Sequence, residues 1–508
     1  MKRRQFVGLG MAAAALPAAQ AAGRNLEGDV AALQARMAAG TLSAHALVVH
    51  YLARIKAIDK AGPRINAIIE LNPDALAIAT KLDDERKAGK LRGPLHGIPV
   101  LVKDNIATGD KMCTTAGSLA LDGVRARRDA PLVEKLRAAG AIILGKTNLS
   151  EWANMRSSRS TSGWSARGGL TVNPYALDRS CGGSSSGSAA AVAAELAVLA
   201  VGTETDGSIV SPASLCGVVG IKPTVGLVSG SGIIPIAHSQ DTAGPMARCV
   251  ADAALLLGAL AEPAQDYSAA LRKDGLQGMR LGVAREYFGR NEERDALIER
   301  ALKVLAAQGA ILVDVAIPNR RKYDESELAV LLYEFKPGLA AYLAEYAPHA
   351  LVKTMADVIT FNEAHAGREM PHFQQRHLLA SNAKGGLEEQ AYLDAVANNR
   401  RYARTEGIDQ VMKEQQLDAL VCGTTGPAWL IDFINGDQSV GGFASPAAVA
   451  GYPHITVPAG YMHGLPIGLS FVGGANSEAA LIRMAFAFEQ ATLHRRAPQF
   501  AKTATIKE

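Results

Sequence analysis

The sequence predicts an α/β fold in which helices cover a large sheet, and three observations indicate this class. The chain has 508 residues, of which 48% are hydrophobic and 20% charged, so it holds enough apolar material for a substantial core. Aromatic residues make up only 5% and glycine occurs 50 times, while alanine-rich helical stretches are frequent, which favours a helix-covered sheet over an all-β sandwich. Short apolar runs alternate with helical patterns, as in a doubly wound sheet.

The first elements are predicted to be helices. Apolar residues recur at helical spacing from Asp29 to Asp59, and Thr41 and Ser43 are candidate caps between two helices in this stretch. A further helix is predicted from the Asn-Pro-Asp sequence at residues 72–74 through Lys87.

Strands are predicted where short apolar runs are bounded by Gly, Pro or polar residues: 98–102, 141–144, 198–201, 278–283, 417–421 and 454–457. Helical patterns between them cover residues 131–139, residues 189–196 and a stretch that ends at Leu260. Loops are predicted at residues 145–148, 202–211, 424–427 and 464–468. Lys103 stands directly after the first of these strands, and such a position suits a site residue.

The chain is predicted to form one domain behind a short export signal. A Lys-Arg-Arg sequence at residues 2–4 precedes an alanine-rich apolar run and a small-residue cleavage pattern, which is typical of a twin-arginine signal over residues 1–22. This run is too short for a membrane-spanning helix, and no membrane contact is expected. Residues 23–508 are predicted to be a single domain with a helical elaboration at about 261–416. The expected location is the periplasm, or the cytoplasm if the signal is not functional.

Charge and cysteine content exclude several classes of protein. The 53 basic and 49 acidic residues give a net charge of +4, and the basic residues are scattered, so no nucleic-acid partner is expected. The five cysteines are widely spaced and free of CxxC or Cys/His clusters. Neither a disulfide framework nor a metal site is therefore predicted.

Two Gly/Ser-rich loops flank one predicted helix and strand, and the first loop allows two interpretations. Residues 183–187 satisfy G-x-S-x-G, which would be a nucleophile elbow centred on Ser185, but no credible strand precedes them and no Asp and His follow in suitable loops. The loop could also bind phosphate at a helix N-terminus, yet neither glycine pattern of the known nucleotide-binding loops is present. Both interpretations rank behind a third arrangement, which joins the two loops to Lys103.

The third arrangement rests on the strings GIPVLVKDN at residues 97–105, CGGSSSGSAAAV at 181–192, GTETDGSI at 202–209, GVVGIKPT at 217–224 and GLPIGL at 464–469. Together they resemble the amidase signature family, and the resemblance extends roughly from Asn25 to Arg496. It implies the amidase signature fold, with a large twisted mixed β-sheet core covered by helices on both faces, and it implies hydrolysis of amide bonds.

The resemblance also implies a role for each residue of a Ser–Ser–Lys triad. It makes Ser208 the nucleophile, Ser184 a bridging serine on a cis peptide bond, and Lys103 the base. The implied oxyanion hole consists of the backbone N–H groups of Thr205, Asp206, Gly207 and Ser208. The chemistry supports this division, because a serine hydroxyl needs a base and desolvation lowers the pKa of a buried lysine towards neutrality. Such a course requires no metal or organic cofactor.

The residue two positions after Ser208 bears on the substrate. Many family members carry arginine there, which can pair with a substrate carboxylate, whereas this chain has Val210. Uncharged amides are therefore favoured over acidic ones. Strings at residues 148–154, 162–168, 203–210 and 239–246 resemble those of bacterial peptide amidases, which release the C-terminal carboxamide of peptides as ammonia. The expected partner is a small-molecule or peptide amide, and the sequence gives no oligomeric state.

Three alternatives remain open. One is a broad-specificity aliphatic or aryl amidase. Another is a protein like the amidase component of glutamyl-tRNA amidotransferase, which Val210 and the export signal disfavour. The third comes from another class: a periplasmic solute-binding protein would also be a large exported α/β chain, but it would need neither Lys103 nor paired serine loops.

Other polar and aromatic residues are given structural interpretations. Asp241 and Arg248 are interpreted as an ion pair behind the nucleophile loop. The histidines considered as triad members are interpreted as loop or core residues: His96, His238 and His454. The aromatic residues that are candidates to line an apolar cleft are Trp152, Trp164, Tyr333, Phe335 and Trp429.

Overall fold

A computed structural model describes residues 28–505, and its centre is a sheet of eleven strands. The predicted signal at residues 1–22 lies outside the described residues. The strands, in chain order, are β1 Ile68–Leu71, β2 Pro99–Lys103, β3 Ile142–Thr147, β4 Trp164–Ser165, β5 Gly169–Leu170, β6 Leu199–Glu204, β7 Val219–Lys222, β8 Thr242–Ala247, β9 Arg280–Ala284, β10 Ile311–Val315, β11 Ala419–Gly423, β12 His454–Met462 and β13 Leu465–Val472. The sheet has the order β1-β3-β2-β6-β8-β7-β12-β13-β11-β9-β10, and β4 pairs separately with β5.

Helices surround this sheet. They are α1 Val30–Ala38, α2 Ala44–Arg54, α3 Ala75–Lys87, α4 Pro131–Ala138, α5 Ser186–Ala193, α6 Val210–Leu215, α7 Val250–Leu260, α8 Glu292–Ala307, α9 Asp324–Tyr346, α10 Met355–Ala364, α11 Ala366–Glu369, α12 Arg376–Asn382, α13 Gln390–Asn399, α14 Asp409–Glu414, α15 Ser445–Ala450 and α16 Glu478–Thr492. Turns of π-helix occupy Ile55–Asp59 and Arg400–Ile408. The predicted α/β class with a mixed sheet is confirmed.

Three parallel strands bring the first part of the site together. β2 pairs in parallel with both β3 and β6, so the carboxyl ends of these strands lie at one edge of the sheet. Val102 lies opposite Val201, which places Lys103, the last residue of β2, beside the end of β6. Every residue of β2 is buried, as expected for a strand with both faces covered.

The remaining strands make the sheet mixed. β8 is antiparallel to β6 and to β7, and β12 and β13 form an antiparallel hairpin. β9 pairs in parallel with β10 and with β11 at the far edge. One buried apolar cluster runs from Val30 to Phe488, so residues from both ends of the described chain share a core.

The N-terminal helices begin where their caps predict. The Ser43 side chain accepts a hydrogen bond from the N–H of Ala46 and begins α2, which confirms this cap. Asp29 caps α1 in the same way by accepting from the N–H of Ala32. Thr41 caps neither helix, so that part of the prediction is wrong.

The turn predicted at residues 145–148 is wrong for most of its length, because β3 continues to Thr147. Its polar residue, Lys146, is fully buried. The Nζ atom of Lys146 donates to the carbonyl of Ile106 at 2.6 Å and to Oγ1 of Thr114 at 2.9 Å, so the side chain finds acceptors inside the fold.

The loop predicted at residues 464–468 is also wrong, because β13 begins at Leu465. Met462 pairs with Leu465, which makes the turn between β12 and β13 short. The stretch predicted as a loop at residues 202–211 is shorter than expected, since β6 extends to Glu204.

The region at about 261–416 is mostly helical but also contains β9 and β10. β10 was not predicted, and with β9 it extends the sheet to its edge. Within residues 28–505, no helix combines the length and apolar character needed to cross a bilayer.

Candidate active site

Lys103 is fully buried at the end of β2 and contacts residues of two other segments. Its Nζ atom lies 2.8 Å from Oγ of Ser184, and it donates to Oγ1 of Thr203 at 2.8 Å and to the carbonyl of Thr203 at 3.2 Å. No carboxylate of the described chain lies within ion-pair distance of it. Burial therefore dominates and lowers the pKa of Lys103 from 10.5 to about 7, although Asp241 and Glu204 oppose the shift.

Ser184 is fixed by the loop that precedes α5. The peptide bond between Gly183 and Ser184 is cis, as the resemblance implied. The Ser184 carbonyl accepts a hydrogen bond from the N–H of Ser150 at 3.1 Å. Gly183 has no room for a side chain, because a Cβ atom there would lie 2.2 Å from Oγ of Ser150.

Ser208 lies on the second loop, between β6 and α6, and the two loops are joined by their backbones. The carbonyl of Ser208 accepts a hydrogen bond from the N–H of Ser185 at 3.1 Å. Its hydroxyl makes no hydrogen bond with any other residue in the described range 28–505, and the residue is 7% exposed. The neighbouring Gly207 has φ +74°, a backbone conformation that side chains rarely adopt. The structure thus brings Lys103 and Ser184 into contact and holds Ser208 on the adjoining loop.

Glu204 shapes the Ser208 loop from inside, and the sequence analysis missed it. Its Oε2 atom accepts hydrogen bonds from the N–H groups of Ile209 at 2.6 Å and Val210 at 2.9 Å. Burial raises the pKa of this carboxyl, and Lys222, which is also buried, opposes the rise. The position directly before the loop was the signal that could have identified it, since a carboxylate there can reach the N–H groups of the following turn.

Asp241 supports the same loop from a different segment, and its predicted ion pair with Arg248 is wrong. The Oδ1 atom of Asp241 accepts from the Thr205 hydroxyl at 2.5 Å, and Oδ2 accepts from the N–H groups of Ile236 and Ala237 at 2.8 and 3.0 Å. Arg248 instead donates to the carbonyl of Gly28. With no cation beside it, burial raises the pKa of Asp241 to about 6.

A second network reaches Asp206, which also lies on the Ser208 loop. The Ser445 hydroxyl donates to Oδ2 of Asp206 at 2.7 Å, and the Glu327 carboxyl of α9 lies against the same side chain. Burial raises the pKa of Asp206 to about 6, and burial together with the charge of Asp206 raises the pKa of Glu327 well above its usual range. Gln240 connects this network to the loop backbone, because its Nε2 atom donates to Oε1 of Glu327 at 2.7 Å and to the carbonyl of Thr205 at 2.9 Å.

The alternative nucleophile, Ser185, is committed to structural hydrogen bonds. Its hydroxyl donates to the Thr203 carbonyl at 3.0 Å and accepts from the Thr203 N–H at 3.1 Å, and the side chain is fully buried. No histidine in the described range hydrogen-bonds to Ser184 or Ser208. His454 is a core residue as predicted: it contacts Ser470, and burial lowers its pKa to about 3.

Two cavities adjoin the residues of the site. The first, here called the Asp437 cavity, has a volume of about 250 Å³ and is lined by Gly183, Asp206, Gly207, Trp429 and Asp437, among others. The second, the Asn105 cavity, has a volume of about 340 Å³ and is lined by Asn105, Thr203, Thr205, Ile236 and Asp241, among others. The first borders the residues next to Ser184 and Ser208, whereas the second lies beside the residues that contact Lys103.

The residues proposed for an apolar cleft have mostly other positions. Trp429 lines the Asp437 cavity. Trp152 and Phe335 are buried in the core and contact each other edge to face. Val210 is fully buried at the start of α6 and lines neither cavity. It therefore bears on the substrate only in that no arginine stands there.

The residues that support the site come from distant parts of the chain, which is why the sequence analysis missed them. Thr203 and Asn105 lie inside recognised motifs but have side chains too common to single out. Glu327, Asp437 and Ser445 are far from any motif. Within residues 28–505, no group of three or more His, Cys, Asp or Glu side chains is arranged to hold a metal ion.

Known proteins share both the sequence and the fold of this chain. The family model described as Amidase matches residues 46–482. A probable amidase of Arabidopsis thaliana is 42% identical over 483 residues, covering 90% of this chain and 89% of the relative. A putative amidase of Schizosaccharomyces pombe is 38% identical over 510 residues, covering 92% of this chain and 86% of the relative. Among solved structures, the peptide amidase PAM in complex with the competitive inhibitor chymostatin has a TM-score of 0.91 at 54% identity, covering 93% of this chain and 99% of that chain.

A component of an amidotransferase is also similar. The relevant relative is the glutamyl-tRNA(Gln) amidotransferase component, of the A type, from Chloroflexus aggregans. It is 37% identical over 498 residues, covering 93% of this chain and 98% of the relative.

Proposed function

The chain belongs to the amidase family, and on that premise we propose that it is a serine hydrolase that converts peptide carboxamides or other small uncharged amides to carboxylic acids and ammonia. The observation that carries the proposal is the 2.8 Å contact between Nζ of the fully buried Lys103 and Oγ of Ser184. A lysine that is half neutral near pH 7 can accept a proton from a serine hydroxyl, and a solvated lysine cannot do so to a useful extent.

The proposed reaction begins with Ser208. Its hydroxyl attacks the amide carbonyl while its proton passes to Ser184, whose own proton passes to the neutral amine of Lys103. In its neutral form Lys103 keeps two N–H bonds for the carbonyl and hydroxyl oxygens of Thr203, so its lone pair is directed at Ser184. Thr203 thereby orients the base without adding charge to it.

The second half of the reaction returns the proton. The tetrahedral intermediate collapses with cleavage of the C–N bond, and Ser184 delivers a proton to the departing nitrogen while it is reprotonated by the lysinium. Ammonia leaves and an ester with Ser208 remains. A water molecule, deprotonated by the same relay, attacks the ester and releases the carboxylic acid and the Ser208 hydroxyl.

The negative charge of the intermediate is assigned to the Ser208 loop. Thr205, Asp206 and Ser208 have N–H groups that donate to no other residue in the described range, so they are available to an oxyanion. The N–H of Gly207 is directed towards the Glu204 carboxyl, which ties this part of the loop in place. Fixed donors of this kind typically contribute about a hundredfold or more each to turnover.

The substrate assignment rests on three supports. A protein named as a peptide amidase shares the fold of this chain at 54% identity. Val210 stands where an arginine would pair with an acidic substrate. The Asp437 cavity borders Gly183 and Gly207, and it is assigned to the acyl part of the substrate because it lies beside both serines.

One experiment tests the catalytic assignment directly. A fluorophosphonate probe labels activated serine nucleophiles, and we expect it to label the wild type but not Ser208→Ala. Ser185→Ala is the matched control, because it removes the serine of the G-x-S-x-G sequence and leaves the proposed nucleophile in place. Labelling that persists in Ser208→Ala and disappears in a folded Ser185→Ala would reverse the assignment.

A second experiment tests the substrate class. We expect ammonia release from peptide carboxamides and simple aliphatic amides to exceed release from acidic amides such as malonamate. A preference for malonamate would contradict the argument from Val210. Rapid cleavage of anilides with slow cleavage of carboxamides would instead favour an aryl amidase.

A second candidate function is favoured by the similarity to an amidotransferase component. Such a component would need partner chains for activity, whereas the proposed enzyme works alone. Ammonia release by the purified single chain at rates typical of enzymes, about 1 s⁻¹ or more, supports the independent hydrolase. Release only after addition of amidotransferase partners supports the amidotransferase role.

The location is proposed from the sequence of residues 1–22. We propose export by the twin-arginine route to the periplasm, with Arg3 and Arg4 as the recognised pair. Cell fractionation should find the wild type in the periplasm and the Arg3→Lys, Arg4→Lys double variant in the cytoplasm. Identical fractionation of the two would contradict this route.

A further inference from the structure

The Asp437 cavity carries an unbalanced charge. Asp206 and Asp437 line it, and no lysine, arginine or histidine of the described chain does. Neither carboxylate has an ion-pair partner within residues 28–505. A cavity in which carboxylates are not matched by cations attracts a cationic ligand and repels an anionic one.

Asp437 is held in place by neutral donors only. Its Oδ1 atom accepts from Nε1 of Trp429 at 3.0 Å, and both of its carboxylate oxygens lie within 3.2 Å of the N–H of Ser162. These bonds fix the direction of the carboxylate without neutralising it. Each carboxylate oxygen has a further lone pair, so Asp437 retains capacity to accept from a ligand.

A second, independent feature of the same cavity points to a donor-rich ligand. Asn154 also lines the Asp437 cavity, and its Oδ1 atom is buried with no hydrogen-bond partner in the described range. A buried acceptor without a donor is costly, and in native proteins it usually has a partner. Asn154 ends the short helical turn Glu151–Asn154, in which Trp152 is buried in the core, so the backbone that carries this acceptor is held in place.

The charges around Asp206 do not cancel this excess. Asp206 and Glu327 face each other, and Lys222 is engaged mainly with Glu204. Lys103, the other buried amine of the site, is the base that the mechanism requires to be neutral. The walls next to Ser184 and Ser208 therefore have a surplus of negative charge.

We propose that Asp437, supported by Asp206, determines specificity by binding an ammonium or guanidinium group on the acyl part of the substrate, which therefore belongs to the class of cationic amino-acid and short-peptide amides. This inference rests on the proposed function. The cavity volume of about 250 Å³ lies at the small end of ligand pockets and fits a group the size of one amino acid. The cation can come from a free α-amino group or from a basic side chain, and the Asn154 carbonyl supplies a further acceptor to either.

The test uses two matched substrate pairs that differ only in charge. Lysine and norleucine N-acetyl amides compare a cationic with a neutral side chain, and leucinamide with N-acetyl-leucinamide compares a free with a blocked α-amino group. We expect the wild type to favour the cationic member of at least one pair by tenfold or more in kcat/KM, since a charge-assisted hydrogen bond contributes about that factor. The responding pair identifies the source of the cation.

The deciding variant is Asp437→Asn. Its amide oxygen can still accept from Trp429, so the loop contact is kept while the charge is lost. We expect the cationic preference to fall towards one, chiefly through a higher KM for the cationic substrate. Asp432→Asn is the matched control, because Asp432 lies on the same segment, accepts from the N–H groups of Ile434 and Asn435, and does not line the cavity. It should leave the preference unchanged.

Each failure has a distinct meaning. A wild type that hydrolyses the neutral amides but shows no preference for either cationic partner overturns the inference and leaves the proposed function standing. An Asp437→Asn variant that loses activity equally on cationic and neutral substrates shows that Asp437 only supports the loop, which also overturns the inference. A wild type that hydrolyses none of the four amides contradicts the proposed function itself.

Discussion

Replacing Lys103 by methionine should abolish amide hydrolysis and at the same time stabilise the fold. Methionine has nearly the same length and no charge, so the packing around the position is largely preserved. A lysine that serves only structure would give the opposite result, because its loss would leave acceptors unpaired and lower the stability. The two readouts together therefore separate a catalytic base from a structural lysine.

The magnitude follows from the buried position of Lys103. A fall of the pKa from 10.5 in the unfolded chain to about 7 in the folded state costs about 4 kcal/mol of folding free energy at pH 7, at 1.36 kcal/mol for each pKa unit. Most partners of Nζ keep another donor in the variant: Ser185 still donates to the Thr203 carbonyl, and Asn105 still donates to the Thr203 hydroxyl. Only the Ser184 hydroxyl loses its partner. We therefore expect a net gain of about 1–3 kcal/mol in the free energy of unfolding.

The pH dependence gives the sign of the effect. Between pH 7 and pH 10.5 the unfolded wild type binds more protons than the folded wild type, so the stability of the wild type rises with pH in this range. The advantage of Lys103→Met should accordingly be largest at pH 7 and below, and should shrink by about 2 kcal/mol by pH 9. Urea unfolding of both proteins at pH 7 and pH 9 measures this difference.

The same pKa predicts the acid limb of the wild-type rate. The neutral fraction of an amine with a pKa of about 7 is one half at pH 7 and falls about tenfold for each unit below pH 6. We expect kcat/KM for a neutral carboxamide to follow this curve. Full activity in Lys103→Met, or a variant that is less stable at every pH, would refute the reasoning that a desolvated lysine is the base.

Other positions yield predictions of the same kind. Ser184→Ala should reduce kcat by about 10² to 10⁴ with little change in KM, because it removes the proton relay, and steady-state ammonia release measures it. Gly183→Ala should reduce turnover by about a hundredfold in a folded protein, because its Cβ would lie 2.2 Å from Oγ of Ser150 and displace the loop; unchanged turnover would show that the loop tolerates the shift. Arg156→Met should destabilise the fold by about 3–5 kcal/mol in urea unfolding, because it leaves the buried Glu151 carboxyl unpaired; a neutral effect would mean that the carboxyl is protonated in the fold.

The sequence predicted those parts of the site that depend on local order along the chain. The apolar run at residues 98–102 requires a buried strand, and the charged residue that ends it has to lie at the edge of the sheet. Lys103 was therefore predictable both as a residue and as a position. The small residues that lead into α5 likewise predict close packing, and a Cβ at Gly187 would lie 2.3 Å from the carbonyl of Ala67.

Parts that depend on pairing between distant segments were not predictable. The turn interpretation of residues 145–148 failed because Lys146 finds acceptors that are supplied by the segment after β2. The loop interpretation of residues 464–468 failed because pairing with β12 overrides the weak strand preference of glycine and proline. Neither partner can be identified from the residues of the stretch alone.

The region at about 261–416 has a closer connection to the site than a decoration of the fold would have. Glu327 of α9 faces Asp206, and Gln240 joins Glu327 to the Thr205 carbonyl by two hydrogen bonds of 2.7 and 2.9 Å. A displacement of α9 by about one ångström would have to break one of these bonds or move the Ser208 loop, whose N–H groups are assigned to the oxyanion. Substrate contacts made by the helical region can therefore change turnover as well as binding, because the same helix that bounds the site also fixes the backbone on which the proposed nucleophile stands.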